Sequence, residues 1–185
     1  MLNLEHLYYP VLRLKEGEYV ALTTLPPSVA NLISPVFVVA PPKERDPELG
    51  RALQLDECAY FAARRIASYW PNRLCFIEAR FVLKEFGHED SNAWLPRLFD
   101  LAHKNGGIPV PVVSLKDAVG ESANAFKVCI SSMASIRLGI RVSFNDIDED
   151  LVSKLKAALN AQNIRAQESV VFIDFAEADI SDPDI

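Results

Sequence analysis

At 185 residues the chain has room for one domain with a sizeable core. Half of its residues are apolar and 24% are charged, which excludes disorder, and a formal charge of −6 argues against a surface that grips nucleic acid or anionic membrane non-specifically. Cys58, Cys75 and Cys129 are odd in number, lack a C-x-x-C pair and lie in apolar stretches, as buried thiols of a reducing compartment do. There is no basic-then-apolar leader and no apolar run long enough to span a bilayer, so a cytoplasmic protein without a membrane partner is expected.

Tyr8 to Leu14 reads as a first strand, with Arg13 and Lys15 at its charged end and a turn at Gly17. From Glu18 to Ile33 the apolar spacing is helical but broken by Pro26-Pro27, which predicts a short helix, a break and a second short turn. Pro35 to Ala40 is apolar without alternation, the mark of a strand covered on both faces. A loop over 41–47 follows, where Asp46 and Pro47 suit the cap and first position of a helix. That helix buries Leu55, Cys58, Ala59, Ala62, Ile66 and Tyr69 at three-and-four spacing and stops at Trp70-Pro71-Asn72.

Arg73 to Phe81 reads as the third strand. After a polar loop over 87–92, with Ser91 as cap, Leu95, Leu98, Phe99 and Ala102 mark a helix that Asn105-Gly106-Gly107 ends. Ile108 to Val113 reads as a fourth strand whose prolines demand sparse use of backbone donors. A weak helix spans about 119–131, a fifth strand Ile136 to Ser143, and a helix carries Leu151, Leu155, Ala158 and Leu159 on one face. Val170 to Phe175 is the sixth strand, and Glu177, Asp179, Asp182 and Asp184 mark a solvated acidic tail. One βα domain over 1–175 and a tail over 176–185 are therefore expected.

Strand–helix alternation of this kind means an α/β fold with a parallel sheet and right-handed crossovers. A doubly wound open sheet and a barrel both satisfy it, and six strands fall short of the usual eight of a TIM barrel. Either the chain is a fragment or its sheet stays open. Period two separates the alternatives. It aligns Tyr9, Val11, Arg13 and Lys15 on one face, Phe76, Glu78 and Arg80 on another, then Arg137, Gly139 and Arg141, then Val170, Phe172 and Asp174. The opposite faces are apolar and suit helices. Charged faces covered by helices would be expensive, so a barrel-like sheet with these groups in the lumen is favoured.

Two readings of Arg13, Lys15, Arg80 and Arg141 against Glu78 and Asp174 stand open. One is an ion-pair network that fills the lumen and holds the strands in register. The other is a pocket for a phosphate- or carboxylate-bearing small molecule, held by the four cations, with Glu78 or Asp174 as a general acid or base. The matching functions are a small-molecule-binding or enzymatic barrel, and a protein-interaction component whose open strand edges are covered by a protein partner or a second copy.

The opening Tyr-x-Pro-x-Leu-x-x-Lys-x-Gly-Glu-x-x-Ala-Leu, here Tyr8 through Leu22, resembles the start of the phage-type Beta protein family. Ser34-Pro35-Val36-Phe37, Phe76-Ile77-Glu78-Ala79-Arg80 and Phe172-Ile173-Asp174-Phe175 resemble its later strands. The resemblance implies a bacteriophage or bacterial source and a (β/α)-barrel-like fold in members longer than this chain; the interaction component, motivated by the short repeat count and its open strand edges, would then belong to a phage or bacterial conflict system. The resemblance implies no particular activity. Glu78 stands where the family more usually has Asp, and a site needing repeats after the sixth strand would not be complete here.

No dinucleotide, phosphate-loop, zinc-protease or serine-hydrolase motif is present, and no cofactor is called for. His6, His88 and His103 are scattered and suit solvated or capping roles rather than a metal site. Asn145 to Asp150 has alternating carboxylates but lacks the glycine and distal Glu of a calcium loop, so helix capping is expected.

Overall fold

The structure is a computed structural model and describes residues 8–40, 51, 53–131 and 134–175. Its strands are β1 (Val11–Leu12), β2 (Val36–Val38), β3 (Leu74–Glu78), β4 (Ile108–Ser114), β5 (Leu138–Ser143) and β6 (Ser169–Asp174). They form one parallel sheet in the order β1-β2-β3-β4-β5-β6. That order settles the architecture. A doubly wound sheet reverses direction at a switch point, whereas every right-handed crossover of an unreversed sheet leaves its helices on one face.

The other face is concave. Tyr9, beside the first strand, packs its ring edge-on at 5.6 Å from Phe172 of the last strand and 5.7 Å from Phe76 between them. Rings from opposite edges of a flat six-stranded sheet would stand about 24 Å apart at the usual strand spacing. The sheet is thus a curled half-barrel.

Two apolar layers follow. The larger lies between the sheet and its helices and includes Phe37, Ile77, Val113, Leu138, Ile140 and Val142 from the strands. The smaller lines the concave side with Val36, Phe76, Val110, Val112 and Ile136, joined by Tyr9, Val170 and Phe172. Gly139 serves the second layer. A Cβ there would lie 2.8 Å from Phe172 Cε2 and 2.9 Å from Val112 Cγ2, so only glycine lets the Phe172 ring cross the strand.

The helices are α1 (Glu16–Thr23), α2 (Pro27–Ala30), α3 (Leu55–Tyr69), α4 (Arg80–Phe86), α5 (Ser91–Lys104), α6 (Leu115–Val119), α7 (Ala123–Cys129) and α8 (Leu151–Gln162). The break at Pro26-Pro27 is where the sequence puts it. In α3, Glu57 Oε2 accepts from the Gln54 backbone N–H at 2.9 Å, closing the helix start; Asp46 and Pro47 lie outside the described residues, as does the tail over 176–185. Helix α5 buries Leu95, Leu98, Phe99 and Ala102 as expected, but its cap residue is Asp90, and Ser91 lies inside the helix. Gly106, at φ 92°, follows its last residues. The weak helix expected over about 119–131 is the shorter α7, and a further helix, α6, precedes it across Gly120-Glu121-Ser122.

Pro109 and Pro111 sit within β4, and its ladder with β5 begins only at Val112, beyond both. A strand segment without those N–H donors has none to give that neighbour. The Asn145–Asp150 carboxylates cap: Asp146 Oδ2 accepts from Ser143 N at 2.8 Å, and Asp148 Oδ1 accepts from Asp150 N at 3.0 Å. Among the described residues no group of three or more His, Cys, Asp or Glu side chains is placed to hold a metal, and no helix is long and apolar enough to cross a membrane.

Candidate functional site at the strand ends

Register fixes which side chains share the concave face. Glu78 pairs with Val112 and Val112 with Gly139; one step further along, Ser114 pairs with Arg141, and Ser143 with Asp174. The lower rows are apolar and the rows at the C-terminal strand ends are polar, so the lumen changes from packed core to charged mouth within two residues of each strand. In a barrel this end carries the chemistry, because the loops after the strands converge there.

Four charges meet at that mouth. Arg141 Nε lies 2.8 Å from Glu78 Oε1, and its Nη1 donates to Asp174 Oδ2 at 2.9 Å. Arg80 Nη1 donates to the same Asp174 oxygen at 3.0 Å, with Nε 3.5 Å from Glu78 Oε1. Both Nε atoms are close to Glu78 but off the hydrogen-bond line, so charge attraction rather than an aligned bond links them to it. Glu78 is buried, and burial pushes its carboxyl above the usual carboxylate range. The Arg80 and Arg141 charges pull it back down and the Asp174 charge pushes it up. A carboxyl held in this way is suited to both giving and taking a proton.

Sequence period places Arg80 on the third strand, but that strand ends at Glu78 and Arg80 opens α4. Its guanidinium still turns back over the mouth, above the Phe81 ring at 4.8 Å. Arg13 and Lys15 do not join the cluster. β1 stops at Leu12, and Leu14 takes a positive φ of 56°, which breaks the alternation expected to carry Arg13 and Lys15 along one face. Lys15 instead becomes the cap residue of α1, and Glu18 Oε2 accepts from the backbone N–H of Arg13 at 2.6 Å and of Lys15 at 3.2 Å. Both side chains are exposed, and neither forms an ion pair with another described residue.

The mouth opens into a cleft of about 480 Å³. Arg80, Phe81 and Lys84 of α4, Ser114, Lys116 and Asp117 around the start of α6, Arg141 and Ser143 of β5, Asp174 of β6 and His88 line it. Lys84, Lys116, Ser114, Asp117 and His88 were not legible as site residues. The third strand and the loop after it read as continuous, which hides α4. The four-residue spacing of Arg80 and Lys84 is the trace that a helix face leaves there. Ser114 and Asp117 carried a second trace: Ser114 Oγ accepts from the Asp117 N–H at 3.1 Å, a helix-start pattern directly after a strand.

Searches of curated proteins and of solved structures found no match. The model of one family, Beta protein, matches residues 8–184, spanning all six strands and every residue of the charged mouth. The chain belongs to the Beta protein family.

Proposed function

We propose that the cleft at the strand ends binds a small anionic molecule bearing a phosphate or carboxylate, with Glu78 and Asp174 as the groups able to exchange a proton with it. One observation carries this reading. Arg80, Lys84, Lys116 and Arg141 line the cleft against only Asp117 and Asp174, with Glu78 beneath them, leaving an excess of positive charge in a chain that is negative as a whole. Arg80 and Arg141 are already partnered by carboxylates, whereas Lys84 and Lys116 form no ion pair with any described residue. The volume suits a metabolite-sized ligand. The buried thiols Cys75 and Cys129 favour a reducing, cytoplasmic setting.

Calorimetry and thermal shift with phosphate, sulfate, nucleotides and sugar phosphates test this. Saturable binding, lost in a Lys84→Met/Lys116→Met double variant of unchanged melting temperature, is the expected result; no binding by the wild type refutes it. Arg80→Met separates ligand from scaffold. It destabilises the fold if the arginines only hold the strands, and removes binding with little loss of stability if they hold a ligand.

A second reading rests on a different observation. Val171 and Ile173 stand exposed on the helix side of β6, the last strand of the sheet, and Phe175 just beyond it is exposed too. A protein partner or second copy covering that edge would make the chain an interaction component, as in a phage or bacterial conflict system, with the mouth charges purely structural. Light scattering at dilute concentration decides: a stable monomer removes the second-copy form of this reading.

A further inference from the structure

His88 sits in the cleft for a backbone reason. Helix α4 ends at Phe86, and Gly87, at φ 81°, turns the chain so that the next side chain joins the cleft lining. The ring's Nδ1 lies 2.7 Å from Oγ of the fully buried Ser122 and 3.8 Å from Asp117 Oδ1. Nε2 makes no hydrogen bond to any described residue, leaving one ring nitrogen anchored and the other uncommitted in a half-buried ring that lines the cleft. Histidine is the side chain whose charge ordinarily changes near neutral pH. The charged groups around it are Arg80 and Lys84 from α4, Lys116 and Asp117 from α6, Arg141 from β5, Asp174 from β6, and its exposed chain neighbour Glu89.

We infer that His88 is a ligand-contacting residue of this cleft: its Nε2–H, in the protonated ring, donates to a doubly charged oxyanion such as a phosphate monoester, making binding stronger at acidic than at alkaline pH. This rests on the anion-binding reading of the cleft and deepens it. Asp117 and Ser122 hold the ring, and Lys84 and Lys116 supply charge that does not vary over the same range. A singly charged carboxylate gains less from the extra proton, so the site discriminates in favour of dianions.

Sulfate is the probe, because it keeps its double charge across the range in which histidine titrates and any pH dependence then belongs to the protein. Sulfate affinity of the full chain is expected to fall roughly three- to tenfold between about pH 5.5 and about pH 8. In His88→Asn, whose amide reaches the Nδ1 position, it is expected to stay flat at the alkaline value. The ring titration of His88 followed by NMR in the wild type provides the same answer without a variant: its midpoint rises when sulfate is added. Sulfate binding that does not vary with pH, a dependence that survives His88→Asn, or an unmoved midpoint overturns the role of His88 and leaves the anion cleft standing. No sulfate binding at either pH overturns both.

Discussion

Replacing Arg141 by Met isolates the electrostatics of the mouth while keeping most of the packing of the stem. Arg141 is the nearest cation to Glu78, at 2.8 Å against 3.5 Å for Arg80, and it also holds Asp174 at 2.9 Å. Removing one partner of a buried pair costs about 3–5 kcal/mol. Arg141 and Asp174 are 22% and 26% exposed, so water screens that arm, and a loss of about 2–3 kcal/mol near neutral pH is expected. The loss depends on pH with a definite sign. Burial already raises the Glu78 carboxyl above its ordinary value of 4.5, and losing Arg141 raises it further. Between the unfolded and folded values the native state holds the extra proton, so stability falls as pH rises through that window. Urea denaturation followed by circular dichroism at about pH 5 and about pH 8 should show a larger penalty at the higher pH. Glu78→Gln in the same background should recover most of that difference. A penalty equal at both pH values, or no recovery with Gln, would show that Glu78 is not held against its charge by burial.

Gly139→Ala places a Cβ 2.8 Å from Phe172 and 2.9 Å from Val112, and is expected to cost about 1–3 kcal/mol by overpacking the concave layer; wild-type stability in chemical denaturation would mean that the Phe172 ring moves aside at little cost. Gln162 is buried, and its Nε2 donates to Ala118 O at 2.7 Å and Ala123 O at 3.1 Å, tying α8 to α6 and α7. Gln162→Leu removes the side-chain donor from both carbonyls and is expected to lower stability by about 1–2 kcal/mol, with hydrogen exchange rising first in α6 and α7. The Cys75 thiol is fully buried and its pKa is pushed up to about 12, so mass spectrometry after alkylation near pH 8 should find it unmodified in the native protein and modified in urea.

The second strand was legible because unalternating apolar runs have few other uses, the first, third, fifth and sixth because period two sorts their charged from their apolar positions, and the long helices because three-and-four spacing survives in α3, α5 and α8. Closure was legible only through charge. Glu78, Arg141 and Asp174 share a face by strand period, and burying that face under helices would have cost more than a soluble fold recovers. What escaped lies where period fails. Leu14 in a left-handed conformation detaches Arg13 and Lys15 from their face, a backbone choice that a non-glycine residue does not announce. Helices α4 and α6 run for only seven and five residues, too short for a periodic signal, and they carry Lys84, Lys116 and Asp117. His88 escaped for the same reason: it depends on the turn at Gly87.

The ion-pair network and the proposed anion site share Arg80 and Arg141, but only Lys84 and Lys116 of the cleft cations are without a carboxylate among the described residues. Two arginines shared between Glu78 and Asp174 are close to neutral as a unit, so by themselves they would attract little. Their neutrality is what permits charge at the end of an apolar lumen at all. It also fixes the guanidinium planes, since each arginine reaches both carboxylates and cannot rotate without losing one. A wall fixed in this way costs little to reorganise when a ligand arrives. In the proposed anion-binding reading, Lys84 and Lys116 on their long stems supply the net attraction, since the arginines are already paired. On that proposal an anion would enter the cleft without breaking the network and would balance the charge of the rim above it.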